Sequence, residues 1–169
     1  MASIKNRKRA YEDTAVSVSR SREQIDKILL HWGVVGIQWE DNFDQGFSQL
    51  RFRWSRDEDC HLIARFRIGI ESDNDLKENA KDQRSGQFSQ KKYDRIKAGR
   101  GKREHRVLLN LLKNMFEAIE AGIIPAESIL LPWIEDAEGQ TVYDKIAPNL
   151  HRLTSSPLHK ALKSSGNDE

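Results

Sequence analysis

The chain has one cysteine, Cys60, only four prolines, and no apolar run near the ~20 residues that cross a bilayer. A single cysteine excludes an internal disulfide and every multi-cysteine zinc pattern. The first residues, MASIKNRKRAYEDT, are polar and basic where a secretory leader is apolar, so a cytoplasmic protein is expected. Catalytic signatures are also missing: there is no nucleophile elbow, HExxH or dinucleotide fingerprint. AGRGKRE is not a P-loop, because position 96 is Ile and position 103 is Arg. His31, His61, His105, His151 and His159 show no metal-ligand spacing. The acidic groups Asp57-Glu58-Asp59 and Glu135-Asp136 fall in expected turns, with no base at a recognisable spacing. No cofactor, metal or enzymatic activity is therefore expected, and a metal-dependent nuclease is disfavoured.

With 37% hydrophobic and 32% charged residues over 169 positions, the chain is long and apolar enough for one domain with a real core. Its net charge of +2 hides a segregation. Between Arg84 and Arg106 the bases Lys91, Lys92, Arg95, Lys97, Arg100, Lys102 and Arg103 are opposed only by Asp94 and Glu104. Downstream, Glu117, Glu120, Glu127, Glu135, Asp136, Glu138 and Asp144 dominate. Such a division fits a polyanion partner for one part, or two parts of the chain facing each other.

The hydrophobic periods predict an α+β fold. Residues 14–19, TAVSVS, alternate as a short strand. Ser21 is the expected N-cap of a helix that stacks Ile25, Ile28, Leu29 and Trp32 and stops at Gly33. Three alternating segments then predict an antiparallel meander. Its inward faces are Ile37 and Trp39; Leu50, Phe52 and Trp54; and Leu62, Ala64, Phe66, Ile68 and Ile70. Residues 72–102, about thirty positions with little apolar content, are expected as a long polar and basic loop or as short helices. A long helix from about Arg103 to Gly122 carries Val107, Leu108, Leu111, Leu112, Met115, Phe116 and Ile119 and should cover the sheet. A C-terminal helical segment follows, with a break at Pro132, a turn at Glu138-Gly139 and a cap at Thr141. The organisation expected is a single domain over 14–152, a basic arm over 1–13 and a flexible tail over 153–169. All four tryptophans fall on inward faces.

The stretches VSVSRSREQIDKILLHWGVVGIQW, NLLKNMFEAIEAGI and PWIEDAEGQTVYDKIAPNL resemble a family of small uncharacterised proteins encoded in phages and prophages of bacteria. In that family a valine strand leads into an arginine-rich helix and a glycine-containing strand. A later helix reads like KLEAVEAGI, and a segment like LPDGRTV precedes a closing helix. The resemblance runs roughly from Val16 to Leu150 and is most specific at Glu117–Ile123. It lapses at IESDNDLKEN, where the relatives have a proline-flanked turn. It implies a phage or mobile-element origin inside a bacterial host and supplies no reaction.

Two features point to a partner. In LRFRW and ARFRI, arginine alternates with large apolar residues, so Arg51, Arg53, Arg65 and Arg67 should share one sheet face, about 7 Å apart along each strand. Like charges opposed across strands need compensation, from Glu40 next door or from phosphates. The competing reading is a solvated face whose arginine stems cover apolar surface. In QKKYDRIKAGRGKREHR, clustered bases surround Tyr93, a stacking surface, and a helix start offers free N–H groups beside Lys102 and Arg103. The competing reading there is a soluble basic linker.

The candidate contacts are thus Arg51, Arg53, Arg65, Arg67, Lys91, Lys92, Tyr93, Arg95, Arg100, Lys102 and Arg103, with a minor electrostatic role for KNRKR. The expected function is sequence-nonspecific backbone binding of nucleic acid, DNA before RNA, as in single-strand binding or annealing during recombination. The element order is similar to that of single-strand annealing proteins, which is a topological analogy. Self-association is expected with it. The alternative is a small interaction protein that inhibits or redirects a host protein.

Overall fold

The computed structural model describes residues 9–57, 60–82 and 85–150. Helix α1 (Val18–His31) leads into a three-stranded antiparallel sheet of β1 (Val34–Asn42), β2 (Phe47–Asp57) and β3 (Cys60–Gly69), in the order β1-β2-β3. Short helices α2 (Asp73–Asn79) and α3 (Gln90–Gly99) precede the long α4 (Lys102–Glu120). The C-terminal part holds α5 (Ala126–Leu130) and α6 (Val142–Ile146). The architecture is α+β, as the periodicity predicts. No helix among the described residues is long and apolar enough to cross a membrane.

The expected strand at 14–19 does not form. Residues 14–17 are irregular, and Ser17 rather than Ser21 caps α1, its hydroxyl accepting from the Arg20 N–H at 3.2 Å. Val16 has no neighbouring strand to pair with, whereas capping at Ser17 satisfies an orphan donor of the first turn. Ser21 lies one turn further in, fully buried. The helix closes at Trp32, with Gly33 at φ +78° beyond it.

Register makes the core. Leu50 faces Trp39 and Phe66, and Phe52 faces Ile37 and Ala64, so these side chains occupy one side of the sheet. Helices α1 and α4 cover that side with Ile25, Leu29, Leu108, Leu109, Leu112, Met115 and Phe116. Trp32 stacks on Phe116 with ring centroids 5.1 Å apart. The four tryptophans all pack against this core, partly buried. The buried face of α4 is rotated from the expected one: Val107 and Leu111 are exposed, while Leu109 and His105 are buried.

Two short helices form within 72–102. A capping box between Ser72 and Asp75 starts α2, and Leu76 and Ala80 anchor it. Helix α3 starts at Ser89 and buries no residue. The β1–β2 turn is tied to the end of β3 by the Ile70 N–H donating to the Gly46 carbonyl at 2.9 Å. Gly46 has φ +70°, and a Cβ there would meet the Ile70 oxygen at 2.9 Å.

After α5, a single turn of 3-10 helix at Leu131–Trp133 carries the chain across the outer edge of β3. On the apolar side Trp133 stacks on Phe66, centroids 4.8 Å apart. Ile134 bridges to Ala64, and the Glu135 N–H donates to the Ile63 carbonyl at 2.8 Å. Glu135 and Thr141 then pair across a tight turn, and Thr141 caps α6 in a box with Asp144. The expected flexible tail, most of the basic arm, His151, His159, Glu58 and Asp59 lie outside the described residues.

Candidate nucleic-acid interface

Strand register brings the predicted arginines to one face: Arg51 faces Arg65, Gln49 faces Arg67, and Arg53 sits opposite Gly36 and Ile63. They are not equally available. Glu135, 3% exposed at its side chain, lies between Arg51 and Arg65. Arg51 donates to it through Nε at 2.8 Å, with Nη2 at 2.7 Å, and Arg65 Nε approaches the other oxygen at 3.3 Å. Arg65 Nη2 also donates to Asp144 at 2.8 Å. Hydrogen bonds from the Thr141 N–H and hydroxyl, with Arg65 adding to them, hold the Asp144 carboxyl below its usual range.

The opposed pair is therefore compensated from within the molecule, by carboxylates of the C-terminal acidic segment. Glu40, the expected compensator, instead accepts from Gln49 Nε2 at 3.3 Å. Arg51 and Arg65, expected as phosphate contacts, are instead paired with Glu135 and Asp144. Arg67 lies over the Phe47 ring at 3.7 Å and is exposed. Arg53 is exposed, and its side chain passes beside Gly36.

The second predicted group divides in the same way. On α3, Lys91, Arg95 and Lys97 are exposed, and Ser89, Lys91, Lys92 and Arg95 line a shallow hollow with no carboxylate among its described lining residues. Lys92 is half-buried, and its ammonium donates to the Lys81 carbonyl at 2.9 Å. Tyr93 is half-buried rather than open, tilted against Phe88 at 5.7 Å and facing Lys97 at 5.6 Å. Phe88 is the exposed ring of the pair. Arg100 turns inward, paired with Asp73 and stacked on Phe43 at 4.7 Å. Arg103 pairs with Glu104 at 3.2 Å, and Lys102 is half-buried beside it. Gly101 caps α4 with no side-chain acceptor.

One cluster was not anticipated. Arg22 of α1 donates through Nε to His105 Nε2 at 3.1 Å and through Nη2 to Ser48 at 3.0 Å, and it pairs with Asp41. Its guanidinium also stands over Trp39, 4.6 Å from the ring centroid. His105 Nδ1 lies 2.7 Å from the Gly101 carbonyl, which fixes Nδ1 as the protonated nitrogen and leaves Nε2 to accept from Arg22. Burial pushes the His105 pKa down, so the ring is neutral. Burial opposes ionisation of Asp41, but hydrogen bonds from Arg22 and Ser48 outweigh it and the pKa falls. The sequence did carry a signal for His105, since positions 105, 108, 109 and 112 follow one buried helical face.

Among the described residues, no group of three His, Cys, Asp or Glu stands together as metal ligands. No family model, curated protein or solved structure matches the chain.

Proposed function

We propose that the protein binds nucleic acid through the sugar–phosphate backbone, with α3 as the principal contact. The observation that carries this reading is a helix with no fully buried residue, which exposes Lys91, Arg95 and Lys97 and borders a hollow with no carboxylate among its described lining residues. A polyphosphate strand gains from such a surface by releasing condensed counterions. Phe88, beside Tyr93 at the start of α3, offers a ring for base stacking, which favours single strands and tolerates any sequence. Arg53 and Arg67 add two further cations on the sheet face. The role is one of binding rather than catalysis, and DNA is the expected substrate. The resemblance to phage and prophage proteins supplies the setting, with strand handling during recombination inside a bacterial cell as the context and self-association along the strand as its corollary.

A second reading draws on another surface. Leu131, Tyr143, Ile146 and Leu150 are exposed on the C-terminal helical segment, an apolar group suited to a protein partner. On that reading the chain inhibits or redirects a host protein. Fluorescence anisotropy with labelled oligothymidine and with duplex, across a salt series, separates the two. Binding that weakens steeply with salt and prefers the single strand supports the first. A folded protein that binds neither at low salt overturns it.

A further inference from the structure

A cavity of about 350 Å³ opens where α1, the β1–β2 turn, α2 and the α3–α4 junction meet. It is separate from the basic hollow on α3, and its argument does not rest on the nucleic-acid reading. Its walls mix charge with apolar surface. Arg22, Lys97 and Arg100 face Asp41 and Asp73, while His105 is neutral, so three cations stand against two carboxylates and one positive charge is in excess.

Hydrogen bonding shows where that excess resides. Arg22 is engaged at Nε and Nη2 by His105, Ser48 and Asp41. Arg100 is not. Its side chain is 7% exposed and held from two sides, by Asp73 at Nη2 and by the Phe43 ring, yet its buried Nε–H has no acceptor. A buried donor left unpaired is costly, and most native structures avoid it. Lys97, one turn earlier on α3, lines the same cavity with its ammonium exposed. Val18, Ile70 and Phe43, the last 44% exposed at its ring, form the apolar part.

We propose that this cavity binds a small molecule carrying a single oxyanion on a flat apolar body. The oxyanion sits between Arg100 Nε and Lys97, and the body lies against Val18, Phe43 and Ile70. One negative charge balances the walls, and it gives the buried guanidinium its missing acceptor through a charge-assisted bond. A volume of this size falls at the lower end of small-ligand sites. The same chemistry has two sources, a free aromatic carboxylate and the phosphodiester of a short strand.

The test is an amide and arginine Nε–H correlation spectrum of the full chain, titrated separately with phenylacetate, with the dinucleotide TpT and with neutral phenylacetamide. The expected result is a shift of the Arg100 Nε–H signal and of the Phe43, Ile70 and Gly101 amides with at least one anion and not with the amide. Response to phenylacetate alone assigns a free acid, and response to TpT alone assigns a strand. Lys97→Gln, an exposed change that leaves the fold intact, should weaken the responding anion about fivefold to tenfold, as loss of one exposed charge-assisted contact implies. Arg100→Gln should remove the response. Equal binding of phenylacetamide, or silence with both anions in a folded sample, overturns the proposal.

Discussion

The arginine face of the sheet and the basic helix α3 carry similar numbers of cations, yet the fold treats them differently. On the sheet, Arg51 and Arg65 converge on Glu135, which the chain delivers by crossing the edge of β3. On α3, Lys91, Arg95 and Lys97 point to solvent, and the neighbouring Asp94 is occupied by Gln90 at 2.8 Å. A run of bases is thus no measure of binding capacity. What matters is whether the same molecule supplies the counter-charge, and burial decides how firmly it does so. A carboxylate held away from water between two guanidiniums is hard to displace, whereas an exposed ammonium exchanges partners freely.

The largest effect should come from removing the internal counter-charge. Glu135→Ala leaves Arg51 without its carboxylate and Arg65 with Asp144 alone, and urea unfolding should show a loss of about 3 kcal/mol. An unchanged midpoint would mean that the pair does not hold the C-terminal segment. Glu135→Gln keeps the shape, and a folded sample should bind oligothymidine more tightly than wild type because Arg51 is released and Arg65 keeps only Asp144. Next in size is the helix. Lys91→Glu, Lys92→Glu and Arg95→Glu together should flatten the salt dependence by about 0.7 per lost single-strand contact, or about 2 in all. Thermal unfolding should change little, because α3 has no fully buried residue and Lys92 loses only its bond to the Lys81 carbonyl. If charge reversal at Arg53 and Arg67 has the greater effect, the contact belongs to the sheet.

Smaller effects test the junction that anchors α3. Gly101 has φ +70°, and a Cβ would sit 3.2 Å from His105 Nδ1, so Gly101→Ala should cost about 1–2 kcal/mol from the left-handed backbone. The smallest effects concern pH. Unfolded, the His105 ring takes a proton near 6.5; folded, burial depresses that value, with Arg22 repelling the charge and Asp41 and Glu104 partly favouring it. Stability should therefore fall as pH drops from about 6.5 through the folded value, and His105→Gln should remove that slope in urea midpoints. At the far acid end, Lys145 and the Gln140 N–H hold half-buried Asp136 at about 2 against 3.8. Its contribution is present above 3.8 and fades as pH falls through about 2, and Asp136→Asn should flatten only that limb.

What was legible in the sequence follows from distance along the chain. Alternation in LRFRW and ARFRI determined both faces of the sheet, and Thr141 and Gly33 marked helix ends through local chemistry. The pairing of Arg51 with Glu135 spans 84 positions and depends on the chain crossing β3, which no periodicity encodes. Arg22 was obscure for the same reason, since its partners lie on β1, β2 and α4. The valine alternation at 14–19 misled because a strand needs a neighbour and this one has none. Arg100 read as one more surface base because nothing nearby in sequence reveals that Phe43 and Asp73 receive it.

The segment that brings Glu135 into place has a further consequence for assembly. By bridging at Ala64 and Ile63 it occupies the middle of the β3 margin, while β1 pairs only with β2 among the described residues. Among the described residues the β1 margin is therefore an uninterrupted edge, and the β3 margin one broken at its middle. Strand-to-strand joining through the β1 margin ends with a symmetric pair, since neither copy has a second complete margin from which a filament could grow.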